Sequence, residues 1–283
     1  MSVPIPDIAL VRRVEAAESG YTLSRLHVLE RLPGNPVGIA YRRDGRVLAV
    51  MARRLPMPGF NRVVGMNDDN VALVPRLVKW FRDAGVRGRF DILPGEATNE
   101  VCRTLVREGF VQAGVPNRAG YSEAGFHASL YAHANSAPPM PDGVEVERVK
   151  SEGALETFLE TYCDGWAVAA DGREGFKNNV RGWLKEPGWQ LYLARVDGEP
   201  AGTAILHLRE RTGYLADASV APDSRGRGAH AALIARRWAD AAAVGADIVC
   251  SQANYLSTSY RNMIRAGLSL LHTQAIWTDQ SAG

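Results

Sequence analysis

The stretch Val220-Ala221-Pro222-Asp223-Ser224-Arg225-Gly226-Arg227-Gly228-Ala229-His230 decides how the rest of the chain is interpreted. It follows an apolar run that is typical of a strand, and it precedes an alanine-rich run that is typical of a helix. Glycines permit a tight turn and a close approach of backbone to a ligand. The first amides of a helix favour an anion. Arg225 and Arg227 add two permanent cations that suit phosphate oxygens. The stretch therefore predicts a phosphate site for a nucleotide-like cofactor.

The composition excludes several classes of protein. The 283 residues are 46% hydrophobic and 23% charged, which fits one large or two medium globular domains. The net charge of +2, without a block of like charges, argues against nucleic-acid binding. Met1 to Ala9 lacks the features of a signal peptide, and no apolar run approaches membrane-spanning length. Three scattered cysteines indicate reduced thiols, and no His/Cys/Asp cluster suggests a metal. We therefore expect a cytoplasmic protein without nucleic-acid, membrane or metal partners.

Turns and helices recur in the same order in the two halves of the chain. Asp44-Gly45 and Asp197-Gly198 each separate two strand-like runs, as in a tight hairpin. Helix-like runs over 71–84 and 229–243 are each followed by a glycine that ends them. This ordered series indicates a duplicated domain.

The two halves differ at the turn that precedes the helix. The first half has Asn67-Asp68-Asp69-Asn70 where the second half has Arg225-Gly226-Arg227-Gly228, and two carboxylates repel a phosphate. The segment 135–143 contains three prolines, which favour an extended linker. We therefore predict a first domain at 1–134 without a cofactor site, a linker at 135–143, and a second domain at 144–283 that carries the site.

The second half resembles the GNAT superfamily of acyl-CoA N-acyltransferases. Residues 220–228 are similar to the family signature V-x-P-x-x-Q/R-G-x-G. A helix, a strand with Asn254 and a helix that ends at Gly267-Leu268 follow in the family order, and the resemblance covers about residues 144–278. The first half looks like a degenerate copy. The resemblance implies an α/β (α+β) fold of two tandem GNAT-like domains, each a mixed, mostly antiparallel sheet flanked by helices.

The resemblance also implies a reaction. The protein would transfer an acetyl group from acetyl-CoA to a primary amine of a small-molecule or amino-acid-like acceptor, by direct attack and without a metal. Two alternatives stay open. One is a different acyl-CoA as the donor, and the other is a CoA-binding regulatory or interaction module without turnover. Both a monomer and a homodimer are compatible with the sequence.

The family pattern assigns roles to the residues around the turn. Backbone of Ala218, Ser219 and Val220 would pair with the pantetheine arm, and the Val220 N–H would polarise the thioester carbonyl. Asn254 would lie near the pantetheine or the departing sulfur. The pyrophosphate would be held by the amides of six consecutive residues, Arg225, Gly226, Arg227, Gly228, Ala229 and His230. His230 departs from the family's usual Gly or Ala, and its side chain would either crowd the phosphates or donate to them.

Two positions are candidates for proton transfer. Asp217 lies on the strand before the turn, with Ala216 and Ala218 expected on the opposite face, and its carboxylate is suited to take a proton from the amine. The alternative is a structural, hydrogen-bonded aspartate. The family often has a tyrosine acid where this chain has Met263, and Tyr260, one turn earlier, is the remaining candidate for that role.

Other side chains are interpreted mainly as structural. The loop with Asp164 and Trp166 borders the acceptor site in this family, and a solvated loop is the alternative. His207 is expected to be structural, and Tyr214 to pack. The tryptophans are expected to pack rather than to recognise a ligand: Trp80, Trp183, Trp189 and Trp238.

Overall fold

The structure is a computed structural model that describes residues 6–55, 58–93, 95–97, 99–113 and 125–280. The helices are α1 (Ile8–Glu30), α2 (Val74–Asp83), α3 (Asn99–Arg107), α4 (Glu152–Gly165), α5 (Arg173–Arg181), α6 (Ala229–Ala243) and α7 (Thr258–Arg265). The strands are β1 (Ile39–Asp44), β2 (Val47–Ala52), β3 (Arg62–Val64), β4 (Arg89–Ile92), β5 (Phe110–Gln112), β6 (Phe126–His133), β7 (Val144–Arg148), β8 (Trp189–Val196), β9 (Glu199–Arg209), β10 (Thr212–Val220), β11 (Ile248–Asn254) and β12 (Ser269–Asp279).

The chain forms two compact units, and each unit draws on both halves of the sequence. Unit 1 comprises Met1–Val28, Leu130–Gln252 and Leu256–Leu271. Unit 2 comprises Leu29–Ser129, Ala253–Tyr255 and His272–Gly283. Most of helix α1 therefore belongs to unit 1, although it lies at the start of the first half of the sequence. The limits 1–134, 135–143 and 144–283 describe the sequence repeat and stay a prediction.

Unit 1 contains a sheet in the order β7-β8-β9-β10-β11. Neighbours are antiparallel except for β10 and β11, which are parallel. Helices α1 and α4 contribute to one apolar core with the sheet, and α6 packs on β8, β9 and β10. The core is rich in large aromatic side chains, including Tyr21, Phe158, Tyr162, Trp183 and Trp189.

Unit 2 contains β1-β2-β3-β4 and the end of β12 in that order, and β5 also pairs with β12. The β3–β4 pair is parallel and the remaining pairs are antiparallel. Helices α2 and α3 bury Phe81, Val101 and Leu105 in its core. Both sheets are mixed and mostly antiparallel, which confirms the predicted fold class.

The repeated turns fold as predicted, with one exception. Gly45 and Gly198 adopt positive φ angles of 55° and 82°, as tight hairpins require. The pattern over 71–84 predicts a single helix, and this is wrong at its start. Residues 68–73 form a 3-10 turn, and α-helical geometry begins at Val74. Pro75 lies in the first turn of α2, where its missing N–H costs no hydrogen bond. Over the ranges described, no helix is both long and apolar enough to cross a membrane.

Candidate active site in unit 1

The turn between β10 and α6 leads into the start of the helix through two glycines. Gly226 and Gly228 have φ angles of 77° and 86°, a left-handed conformation that strains other residues. Gly228 is the N-cap of α6, and no side chain caps the helix. The amide of Ala232 bonds the Gly228 carbonyl, so the preceding amides of Ala229 and His230 have no acceptor within the helix. These amides therefore point out of the start of the helix, where the helix dipole favours negative charge.

The two arginines of the turn are exposed, and each side chain has a partner within the protein. Arg225 donates through Nε to the Val220 carbonyl at 3.3 Å. Arg227 forms an ion pair with Asp197 of the β8–β9 hairpin. The Arg225 amide donates to the Pro222 carbonyl at 3.3 Å. The Arg225 amide therefore closes the turn, and its predicted contact with a pyrophosphate, like that of the five residues that follow, stays a prediction.

The His230 ring is directed at α7. Its Nδ1 atom lies 3.4 Å from Asn262 Nδ2, so the amide donates and Nδ1 accepts. Burial, with a smaller contribution from Arg237, lowers the pKa of His230 to about 4. The imidazole is therefore neutral at pH 7 and adds no positive charge to the turn.

The regular pairing of β10 with β11 is short. Across the residues described it runs from Thr212–Ile248 to Tyr214–Cys250, although β10 continues to Val220. The next two carbonyls of β10 accept from side chains. Ser251 Oγ donates to the Leu215 carbonyl at 2.7 Å, and Arg237 Nη1 donates to the Ala216 carbonyl at 3.0 Å. Buried carbonyls without a partner are costly, so these side chains stabilise the end of the ladder.

A β-bulge interrupts the pairing of β10 with β9 directly after Ala216. The register with β9 shifts between Ala216 and Ser219, and Asp217 has a φ angle of +43°. The expected alternation of Ala216, Asp217 and Ala218 is therefore wrong, because a bulge interrupts the two-residue period and redirects a side chain. Beyond it, the Ala221 amide bonds the Ala201 carbonyl at 2.9 Å. Because antiparallel residues alternate in direction, the Val220 N–H points away from β9, towards the side where the β11 ladder has ended.

The Asp217 carboxylate accepts from three side chains through one oxygen. Its Oδ2 atom lies 2.5 Å from Tyr21 Oη, 3.0 Å from Arg25 Nη1 and 3.2 Å from Tyr162 Oη. Burial, together with the Asp217 charge, raises the pKa of both phenols well above its ordinary value, so both are protonated donors. Tyr21 and Arg25 were not predicted from the sequence, because they lie almost 200 residues before Asp217 in the chain.

The surrounding aromatic residues pack as expected. The Tyr21 ring lies 5.1 Å from that of Trp189 and 5.2 Å from that of Tyr214. Trp183 is fully buried, and Arg25 lies over its ring at 4.9 Å. Burial lowers the pKa of His207 to about 4, which makes it a weak base.

The remaining predicted residues lie on three other elements: after α4, at the end of β11 and in α7. Trp166 follows α4, is 46% exposed and has its ring 6.1 Å from that of Tyr162. Tyr260 lies in the first turn of α7 and is half-buried, whereas Met263 is buried. Asn254 is the last residue of β11. The roles of Asn254 and Tyr260 stay predictions. In the part of the chain that the structure describes, no group of His, Cys, Asp and Glu is arranged to hold a metal ion.

Comparison with known proteins agrees with the architecture. Residues 154–255 match the family model described as "Acetyltransferase (GNAT) family". No curated protein matches the sequence of the chain significantly. A GCN5-related N-acetyltransferase from Kribbella flavida is 17% identical with a TM-score of 0.62, and covers 94% of this chain and 95% of its own. One from Sphaerobacter thermophilus is 16% identical with a TM-score of 0.61, and covers 98% of this chain and 94% of its own.

A tandem GNAT protein from the clavulanic acid biosynthesis pathway is also similar. It is 13% identical with a TM-score of 0.58, and the match covers 94% of this chain and 97% of the other. The structural similarity establishes the fold, which is that of two GNAT-like domains. The sequence identities are too low to establish more. Together with the family match, the structural similarities show a GNAT acetyltransferase domain at residues 154–255, within a fold of two GNAT-like domains.

Proposed function

We propose that the protein is an N-acetyltransferase, which transfers an acetyl group from acetyl-CoA to a primary amine of a small-molecule or amino-acid-like acceptor. The observation that carries the proposal is the start of α6, where a turn with two left-handed glycines leaves the first helical amides without a helical acceptor. A Cβ added at Gly226 would meet no atom within 4 Å, so the turn has an open side for a diphosphate. The GNAT family match over this segment supports the same ligand.

The backbone of the turn and of β10 performs the binding in this proposal. The amides from Gly226 to His230 bind the diphosphate, as helix starts bind anions. Ala218, Ser219 and Val220 pair with the pantetheine arm in the manner of an added strand. The Val220 N–H donates to the thioester oxygen, on which negative charge develops as the amine attacks.

Two side chains are assigned to proton transfer. Asp217 takes the proton of the amine through Oδ1, because the three hydrogen bonds described above use Oδ2. A C–N bond forms, the C–S bond breaks, and coenzyme A departs as its thiol. Tyr260 is the assigned donor to the sulfur. Because a free thiol has a pKa of about 8.5, the sulfur also leaves acceptably as a thiolate.

Ligand binding and turnover are measured separately to test this function. Saturating CoA is expected to raise the melting temperature, since a ligand that binds only the native state stabilises it. Thiol release from acetyl-CoA is then followed with a panel of primary amines, including amino acids and polyamines. The absence of a CoA-dependent shift contradicts the proposal. A shift without thiol release for any amine supports a CoA-binding regulatory module instead.

Competition between donors settles the acyl group. Acetyl-CoA, propionyl-CoA and longer acyl-CoA molecules are compared at equal concentration with the best amine of the panel. We expect the highest kcat/KM for acetyl-CoA. A preference for a longer chain would keep the transferase function and replace the acetyl assignment.

A further inference from the structure

Helix α1 makes specific contacts with the strand that carries the proposed reaction. Arg13, in its second turn, donates to Thr212 Oγ1 at 2.9 Å at the start of β10, and pairs with Asp247. Tyr21 and Arg25, about two and three turns further on, reach Asp217 near the end of the same strand. Helix α1 therefore follows β10 along its length, with one arginine at each end.

The close fit of α1 depends on small residues. A Cβ at Gly20 would lie 2.4 Å from Arg209 Nη1 of β9, and a Cβ at Gly182 would lie 2.6 Å from Val28 Cγ1. Glycine at position 182 therefore permits α1 to approach closely, whereas at Gly20 the flexible end of Arg209 fills the space. Val14 and Ala17 are fully or almost fully buried in the same core. The helix is thus an integral part of unit 1, although it lies outside the segment that matches the family model.

The contacts at Asp217 compensate two unfavourable features. The residue combines a carboxylate that is only 18% exposed with a left-handed φ angle, which a non-glycine side chain rarely adopts. Arg25, 16% exposed, supplies the opposite charge, and Tyr21 and Tyr162 supply two hydroxyl donors. Burial disfavours the charged guanidinium, but the Asp217 charge together with Tyr21 and Tyr162 outweighs it, and the pKa of Arg25 is raised above its ordinary value.

We propose that Tyr21 and Arg25 are positioning residues for the transferase site, because they hold Asp217 in the bulge that sets the direction of the Val220 amide. The proposal rests on the proposed function for its catalytic consequence. Tyr21 and Arg25 are one helical turn apart, at i and i+4, so both side chains project from one face of α1. Neither is expected to touch the diphosphate, which is bound at the start of α6.

The test compares two arginines of the same helix. Arg25→Gln and Tyr21→Phe remove the contacts to Asp217, whereas the control Arg13→Gln removes a similar ion pair at the other end of β10. Hydrogen–deuterium exchange of peptides that cover residues 214–222 reports the order of the bulge without any turnover. We expect faster exchange in Arg25→Gln and Tyr21→Phe than in Arg13→Gln at equal global stability.

Kinetics provide the second readout. In Arg25→Gln we expect kcat to fall about tenfold or more, since small displacements of reacting groups are costly, while the Kd for CoA changes by less than about twofold. Unaltered exchange and kcat in folded Tyr21→Phe and Arg25→Gln would overturn the proposal. If Arg25→Gln does not fold, Tyr21→Phe, which loses only a hydroxyl, decides alone. If the wild-type protein shows no turnover, the proposed function fails, and hydrogen exchange still decides whether α1 orders the bulge.

Discussion

Arg237 and Ala216 are joined by a hydrogen bond of 3.0 Å at the residue where the regular pairing of β10 with β9 is interrupted, two residues after its pairing with β11 ends. The same guanidinium nitrogen donates to the Ile205 carbonyl of β9 at 2.9 Å, and Nε donates to Leu233 within α6. Arg237 is 2% exposed, and burial lowers its pKa to about 10. Helix α6 therefore supports the bulge through Arg237, its ninth residue, while its first turn forms the proposed anion site.

Replacement of Arg237 by Met is expected to destabilise the protein by about 3 kcal/mol, because it removes the donor to three carbonyl oxygens that lie in the interior. Affinity for CoA should fall as well, since the bulge and the start of α6 lose their connection. Urea unfolding and calorimetric titration with CoA measure the two effects. The neighbouring Arg236→Met is the control, because Arg236 is only half-buried and bonds the Val146 carbonyl instead. Equal effects of the two substitutions would contradict a special role for Arg237.

Gly226→Ala and Gly85→Ala form a matched pair. Both glycines have positive φ angles, 77° and 67°, and an added Cβ meets no atom within 4 Å at either position. We expect both variants to lose about 1 kcal/mol of stability through backbone strain. Only Gly226→Ala is expected to weaken CoA binding, by about tenfold or more, because only that glycine lies in the turn before α6. Thermal shift with a CoA titration checks this, and equal CoA affinities would remove Gly226 from the binding site.

His230→Ala is expected to change CoA affinity by less than about threefold, since the loss of one neutral hydrogen bond has a modest net effect. The ring accepts from Asn262 and is neutral, so it adds no charge to the turn. Asn262→Ala serves as the control for the loss of this hydrogen bond alone. The Kd for CoA of both variants at pH 7.5 is the measurement. A large loss in His230→Ala that Asn262→Ala does not share would show that His230 itself binds the ligand.

Stability is expected to fall as the pH is lowered from about 6.5 to about 4, in part because of His207. Burial lowers the folded-state pKa of His207 to about 4, whereas the unfolded pKa is about 6.5, so the unfolded state binds the proton first. The contribution of a neutral, buried histidine is therefore complete above pH 6.5 and is lost through this window. Urea unfolding of the wild type and of His207→Leu at several pH values checks the prediction. The variant should show a shallower pH dependence, and the same slope in both proteins would exclude His207 as a source.

Local signals predicted most of the elements correctly. The runs that begin at Ala229 and end before Gly245 gave the limits of α6 to the residue, since glycines mark both ends. The hairpin at Asp197-Gly198 and the left-handed glycines before α6 are equally local. The anion-binding role of that turn stays a prediction. The start of α2 was misplaced because the apolar period extends through residues that a 3-10 turn also accommodates.

The partners of Asp217 could not be predicted from the sequence around it, because they are distant in the chain. A bulge leaves no pattern in Ala216-Asp217-Ala218, and its positive φ angle depends on partners far away in sequence. Tyr21 and Arg25 read as ordinary positions of an amphipathic helix, and nothing near them indicates which sheet they contact. A polar pair at i and i+4 on an otherwise apolar face is the only local signal, and it does not identify its partner.

The placement of α1 in unit 1 has a consequence for biosynthesis. Translation delivers Tyr21 and Arg25 first and Asp217 almost 200 residues later. At 5–20 residues per second, the nascent helix remains without its partners for on the order of 10–40 s. During this interval the apolar face of α1 and the Arg25 side chain must be kept from other contacts. The core of unit 1 can therefore close only when most of the chain has left the ribosome, and premature release or a slow stretch of codons before residue 217 would selectively impair this unit.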